Sequence, residues 1–194
     1  MKPAIFLDRD GTIIKDKGYV NSIKNIVFYD FTFDCLKTLQ KKFLLFIVTN
    51  QSGVAKGLIS NEQLDEIHKH MLDVLKTQGI LIEAVYVCPH NKEDNCICRK
   101  PLPHFVHIAE SQYNIDIANS YVIGDHPSDI QLALNTGAKG MYVLTGHGKR
   151  HYHELTEHER KNILITQSLR SGMKVIFHKS PYNTYAYMNS NATF

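Results

Sequence analysis

The chain has 194 residues, 43% of them hydrophobic and 21% charged, with a formal net charge of +3. That length suits one domain whose core needs no disulfide staples, and the composition is that of a soluble globular protein. No basic run concentrates the small charge, which argues against a nucleic-acid or anionic-membrane surface. The apolar start of MKPAIFLDRD is cut by Asp8 before it reaches the length of a leader or a span, so a cytosolic protein is expected.

Residues 4–8 (AIFLD) form a short apolar run ending on an acid, which predicts a strand. Residues 11–30 are mixed and read as a loop or small hairpin, and 31–42 as a helix. FLLFIVTN (43–50) is continuously apolar, as in a strand buried on both faces. Ser60 and Gln63 make a capping box, and Leu64, Ile67, Met71, Val74 and Leu75 then recur at helical spacing up to Gly79. Strands are expected at 81–87, 120–125, 141–146 and 163–165, and helices at 103–114, 127–136 and 151–161. This alternation predicts a three-layer αβα, Rossmann-like fold around a mainly parallel sheet. The expected domain covers 1–170. Residues 171–194 are taken as a C-terminal tail, whose end, SPYNTYAYMNSNATF, has no periodicity and no assignable role.

Ligands in open parallel sheets bind beyond the carboxyl ends of the strands. The first strand ends in Asp8-Arg9-Asp10-Gly11-Thr12, the second in Thr49-Asn50-Gln51-Ser52-Gly53, and the fourth in Gly124-Asp125, with Asp129 one helical turn on. Arg99-Lys100-Pro101 follows the third strand. Several carboxylates in one crevice repel one another unless a hard cation joins them, and oxygen ligands suit magnesium. Lys100, Thr49 and the backbone amides after Asp8 and Thr49 suit a phosphate. Asp8 has the chemistry of a nucleophile, and Asp10 that of the acid and base that serve the leaving group and then water.

Three of the four cysteines fall close together in Cys88-Pro-His90, Cys96-Ile-Cys98, a complete tetrahedral zinc set without an open position and therefore structural. His104 and His107 lie nearby, at a helix start, and are read as surface residues. Cys35 sits in an apolar helical pattern and is read as simply buried.

These residues resemble the haloacid dehalogenase-like phosphatases. The first motif of that family, Asp-x-Asp-x-Thr, is matched by Asp8, Asp10 and Thr12; the second by Thr49; the third by Lys100; the fourth by Gly124, Asp125 and Asp129. The resemblance covers roughly 4–146 and implies magnesium held by Asp8, Asp125 and the backbone carbonyl of Asp10, with Asp129 either touching the metal or only capping and orienting. CPHNKEDNCICRKPLP is similar to the zinc loop of a subgroup with a minimal cap, which includes heptose bisphosphate phosphatases and histidinol-phosphate phosphatases. TNQSGVAKG is similar to the heptose enzymes. That implies removal of the 7-phosphate of a heptose 1,7-bisphosphate in nucleotide-heptose synthesis for surface polysaccharide. Arg99, Asn50, Gln51 and Ser52 would then bind substrate, and Lys56 would meet a second phosphate.

Against that subgroup, His126 stands where the heptose enzymes carry lysine, and a histidine is shorter and largely neutral at pH 7. A histidinol-phosphate phosphatase is the second reading, and a non-catalytic module docking through its zinc loop the third. A nucleic-acid 3′-phosphatase is disfavoured by the charge. The expected partner is a small phosphorylated sugar or metabolite, with neither nucleic acid nor membrane, and the expected state a monomer.

Overall fold

The computed structural model describes residues 1–177. The tail at 180–194 lies outside the described residues.

Six parallel strands form one sheet: β1 (Ala4–Leu7), β2 (Leu44–Asn50), β3 (Ala84–Cys88), β4 (Tyr121–Gly124), β5 (Lys139–Val143) and β6 (Leu164–Thr166), in the order β3-β2-β1-β4-β5-β6. Alternation along the strands sorts side chains to two faces. On one face Ile5, Leu7, Leu45, Ile47, Ile123 and Met141 pack under α1 (Thr32–Leu39), α2 (Asn61–Thr77) and α7 (Leu169–Phe177). On the other, Ala4, Phe6, Phe46, Val48 and Val122 pack under α3 (His104–Tyr113) and α4 (Pro127–Thr136). The three layers expected from the alternation of elements are present. Cys35 is buried in the first of these cores.

Local chemistry sets the element ends. Ser60 Oγ accepts from Gln63 N–H at 3.2 Å and Gln63 Oε1 from Ser60 N–H at 2.8 Å, closing the capping box that starts α2. β3 begins later than the apolar run suggests, because Leu81 is exposed and Glu83 N–H is the first to reach Leu45 O. The helix expected over 151–161 is two pieces. Short α5 (Gly148–His151) runs into a 3₁₀ turn, and α6 (Glu157–Asn162) starts afresh at a Thr156/Glu159 capping box. Between β1 and α1 the chain makes two isolated bridges, Asp10 to Ile14 and Ile14 to Phe28, and one 3₁₀ turn, and Ile13, Ile14 and Val20 anchor it in the first core.

The domain boundary expected at 170/171 falls inside α7. Leu169 and Ile176 are buried in the first core, and a Cβ on Gly172 would stand 2.2 Å from Met141 Sδ, so α7 is docked as closely as the rest. No described helix is long and apolar enough to cross a membrane.

Candidate active site and zinc loop

Strand order reverses between β1 and β4, and at that switch point the carboxyl ends of neighbouring strands splay into a crevice. Asp8 follows β1 and Asp125 follows β4, so two carboxylates face each other across it. Asp129, in the first turn of α4, completes a group whose ligand oxygens all lie within 4.8 Å of one another.

Lys100 enters from the β3–α3 connection and is almost wholly buried. Its Nζ donates to Asp8 Oδ1 at 2.6 Å and to Val48 O at 2.8 Å. It also stands 2.6 Å from Asp129 Oδ1, an ion pair without the alignment of a hydrogen bond. The Lys100 ammonium is held charged against its burial by Asp129 and Asp8, which raise its pKa. Asn50 positions the lysine: its Oδ1 accepts from Lys100 N–H at 3.0 Å and its Nδ2 donates to Lys100 O at 3.3 Å.

Asp10 is held by a buried network that the sequence reading missed. Arg9 has no exposed surface. Its Nε donates to Asp10 Oδ2, one terminal nitrogen to Gln51 Oε1 and the other to His68 Nε2, each at 2.9 Å. Gln51 Nε2 donates to the same Asp10 oxygen at 2.9 Å and to Thr49 Oγ1 at 2.8 Å. Arg9 can only donate, so His68 Nε2 must accept and the ring stays neutral. Burial and the Arg9 charge push His68 down to about 4, which fits. Asp10 Oδ2 is thus saturated, while Asp10 Oδ1 is buried and unpartnered, as is Thr12 Oγ1. An orphaned carboxylate oxygen in a crevice is a group awaiting a reactant.

The backbone leaves room for Asp125. Gly11 has φ +79°, and a Cβ there would lie 2.0 Å from Asp125 Oδ2; one on Gly146 would lie 2.2 Å from it. Any side chain at Gly11 would meet both left-handed strain and this clash. His147 N–H donates to the same oxygen at 2.7 Å. Asp129 Oδ2 accepts from His126 N–H at 3.1 Å, so Asp129 caps α4 as well as pairing with Lys100.

Three carboxylates around one ammonium fit a hard divalent cation. Burial pushes Asp8 up to about 7, with Lys100 pulling it back and Asp129 and Asp10 adding to the rise. Burial, then Asp8 and Asp129, push Asp125 up to about 9. Both lie above the ordinary 3.8, so the metal-free folded state keeps protons that the unfolded chain has lost. Its stability therefore falls as pH rises from about 4 towards 9. His68 and His126 are lowered and act in the opposite sense, but only below about 6.5. With the zinc loop loaded, the unfolding midpoint without magnesium should drop between about pH 6.5 and 9, and excess magnesium should flatten that slope. Thermal melts at several pH values, with and without magnesium, check this. A slope that magnesium leaves unchanged would place the cation elsewhere.

The other cluster lies on the loop after β3. Cys88 Sγ is 3.6 Å from Cys96 Sγ and 3.6 Å from His90 Nδ1; Cys98 Sγ is 3.7 Å from Cys96 Sγ and 3.3 Å from His90 Nδ1. A tetrahedron with Zn–S bonds of about 2.3 Å has S–S edges of about 3.7 Å, so the four ligands already have the shape of a zinc site. Burial holds the Cys88 thiol up at about 12. Cys96 comes down to about 7 despite its own desolvation, because the N–H groups of Cys98 and Arg99 point at it. Cys98 is raised by burial. Arg99 donates to His90 O at 2.9 Å and so belts the loop. The next residue is Lys100, which joins the loop to the crevice. His104 and His107 lie outside the ligand set.

Of the residues expected to bind substrate, Asn50 and Gln51 have their side chains committed to Lys100 and to the Arg9, Asp10 and Thr49 network. Both lie beside the crevice with their amides bonded into its framework. Ser52 is half-buried beside it. Lys56 is exposed and donates to Tyr19 Oη at 2.8 Å, which lowers the Tyr19 pKa.

A HAD-hydrolase-like family model matches residues 97–171. A D-glycero-β-D-manno-heptose-1,7-bisphosphate 7-phosphatase from Yersinia pestis is 42% identical over 154 residues, 74% of this chain and 81% of that protein. The enzyme of that name from Photorhabdus laumondii is 38% identical over 183 residues, covering 90% of this chain and 95% of its own length. The crystal structure of D,D-heptose 1,7-bisphosphate phosphatase from B. bronchiseptica, complexed with magnesium and phosphate, superposes with a TM-score of 0.83 at 30% identity. That match covers 93% of this chain and all of the other. The chain belongs to the HAD-like phosphatases, and it is an enzyme of the phosphoric monoester hydrolase class. Within that family it stands beside the heptose bisphosphate phosphatases.

Proposed function

We propose that this enzyme removes the 7-phosphate of D-glycero-β-D-manno-heptose 1,7-bisphosphate, with magnesium, through a phospho-aspartate at Asp8, on the route to a nucleotide-activated heptose. The observation that carries the chemistry is the pairing of Asp8, tied by one oxygen to Lys100, with an Asp10 whose Oδ1 alone is free. The sugar comes from the relatives, which share the name and most of the chain length.

Lys100 holds Asp8 Oδ1, so Oδ2 is the oxygen that attacks phosphorus. The new O–P bond forms as the bond to the sugar oxygen breaks, and Asp10 Oδ1 gives its proton to that oxygen. Asp10 Oδ1 then takes a proton from water, which attacks phosphorus and frees Asp8 and phosphate. Arg9 and Gln51 keep Asp10 aimed through both steps by occupying its other oxygen, and His68 holds Arg9 in place. Asp8, Asp125 and the Asp10 backbone carbonyl would hold the magnesium, which, when bound, would neutralise the phosphate oxygens and relieve carboxylate repulsion. Asp129, engaged by Lys100 and the start of α4, orients the lysine.

The zinc loop is structural in this reading. Zinc fixes the segment that delivers Arg99 and Lys100, because metal binding to such a loop is coupled to its folding. Cys96→Ser should weaken zinc by roughly tenfold or more and lower both thermal midpoint and turnover. Zinc content and activity measured on one preparation check this, and a variant with full zinc and full activity would contradict it.

Substrate choice is tested by kcat/KM for both heptose 1,7-bisphosphate anomers, histidinol phosphate and fructose 1,6-bisphosphate. The β-heptose should lead. A clear preference for histidinol phosphate would replace the substrate while leaving the phosphatase chemistry in place.

A further inference from the structure

A third cluster of metal-ligating side chains stands at the rim of the crevice and has no part in the chemistry above. His126 precedes α4, His151 ends α5, and Glu154 ends the 3₁₀ turn that follows. One ligand atom from each lies within 4.8 Å of the other two. The His126 and His151 rings are 4.9 Å apart between centroids, and His151 Nδ1 is 2.5 Å from Glu154 Oε1. We propose that His126, His151 and Glu154 form a binding site for a first-row transition-metal dication such as zinc or cobalt, separate from both the magnesium crevice and the cysteine loop.

The donor chemistry selects the ion. Two imidazoles and one carboxylate suit zinc, cobalt, nickel or copper, whereas magnesium prefers oxygen ligands alone. A metal bonded at about 2.0–2.1 Å to such ligands holds them roughly 3.3 Å apart, so the His151–Glu154 hydrogen bond must open to admit the ion while His126 stays within reach. Side-chain rotation allows this, since His126 and Glu154 are exposed and His151 is half-buried. His126 Nδ1 lies 2.9 Å from Ser128 Oγ and accepts from Ser128 N–H at 3.2 Å; a metal on Nε2 takes the other tautomer, with Nδ1–H donating to Ser128 Oγ. Three protein ligands leave coordination positions open to water or to an anion.

Position gives the site its interest. His126 directly follows Asp125, and its backbone N–H is held by Asp129 Oδ2. The segment carrying His151 also supplies His147, whose N–H holds Asp125 Oδ2. A dication here would clamp the 147–154 segment to the start of α4 and add positive charge beside the phosphate crevice.

The test uses full-length protein with the cysteine loop already loaded with zinc and magnesium in excess. Cobalt(II) is titrated and followed by its visible ligand-field absorption and by equilibrium dialysis. One equivalent should bind beyond the loop zinc, without the near-ultraviolet band of a cobalt–thiolate bond. His151→Ala and His126→Ala should each weaken it by at least tenfold, and the surface change Glu154→Gln should weaken it measurably with unfolding unaltered. His158→Ala, on α6, should leave it intact. No cobalt beyond the loop zinc would overturn the proposal. So would affinity unchanged in His151→Ala and Glu154→Gln, or an absorption band showing thiolate ligation.

Discussion

Asp8→Asn is expected to lower magnesium-dependent phosphate release by roughly 10⁴-fold or more. The amide keeps the shape of the carboxylate and can still receive a bond from Lys100, but it cannot form the bond to phosphorus. The loss should appear in kcat, because Lys100 and Thr49, the groups proposed to meet the phosphate, remain. Folding should survive. Burial makes the Asp8 charge costly, and Asp125 and Asp129 stand close by, so removing that charge relieves repulsion in the metal-free protein. Steady-state kinetics alongside a thermal melt separate these effects. A folded variant that retained a tenth of the activity would remove Asp8 from the nucleophile's role.

Lys100→Met is the change expected to cost most in stability. The side chain is 4% exposed, and its ammonium touches Asp8, Asp129 and Val48 O. Breaking a buried ion pair from one side costs about 3–5 kcal/mol, because the partner charges are left uncompensated. Here the partners are two buried carboxylates with a third beside them, so the metal-free variant should unfold at markedly lower urea. Magnesium should restore part of the loss, since a dication can take over the neutralisation. Turnover should nonetheless fall below detection, because the group that steadies Asp8 and the transferring phosphate is gone. Urea midpoints with and without magnesium measure the first effect, and phosphate release the second. A midpoint within error of the native protein would mean that Lys100 does not balance those carboxylates.

The signals in the sequence were strongest where chemistry and periodicity coincided. Buried parallel strands read as apolar runs, and each of β1, β2 and β4 leads into a polar residue at the crevice, which is why Asp8, Thr49 and Asp125 could be picked out. The cysteine–histidine cluster was legible because Cys88, His90, Cys96 and Cys98 fall close together in sequence. Arg9 was not, since a charged residue between two acids reads as solvated, whereas it is fully buried and spent on Asp10, Gln51 and His68. A clue was present: His68 comes four residues after Leu64 and three before Met71, on the buried stripe of α2, where a polar ring needs a partner. Asn50 and Gln51 illustrate a different limit. Their place at the carboxyl end of β2 puts them at the crevice, but only the structure shows that their amides face inward. The Thr156/Glu159 box was readable as a helix start and marks where the 151–161 helix breaks. The docking of α7 on the core was hidden by its short length and by Gly172, which is there to admit Met141.

The most direct test of the central claim follows the two phosphorus resonances of D-glycero-β-D-manno-heptose 1,7-bisphosphate by ³¹P NMR with magnesium and native enzyme. The 7-phosphate signal should give way to inorganic phosphate while the 1-phosphate signal persists. Loss of the 1-phosphate instead, or an unchanged spectrum from enzyme that hydrolyses histidinol phosphate in a parallel tube, would contradict it.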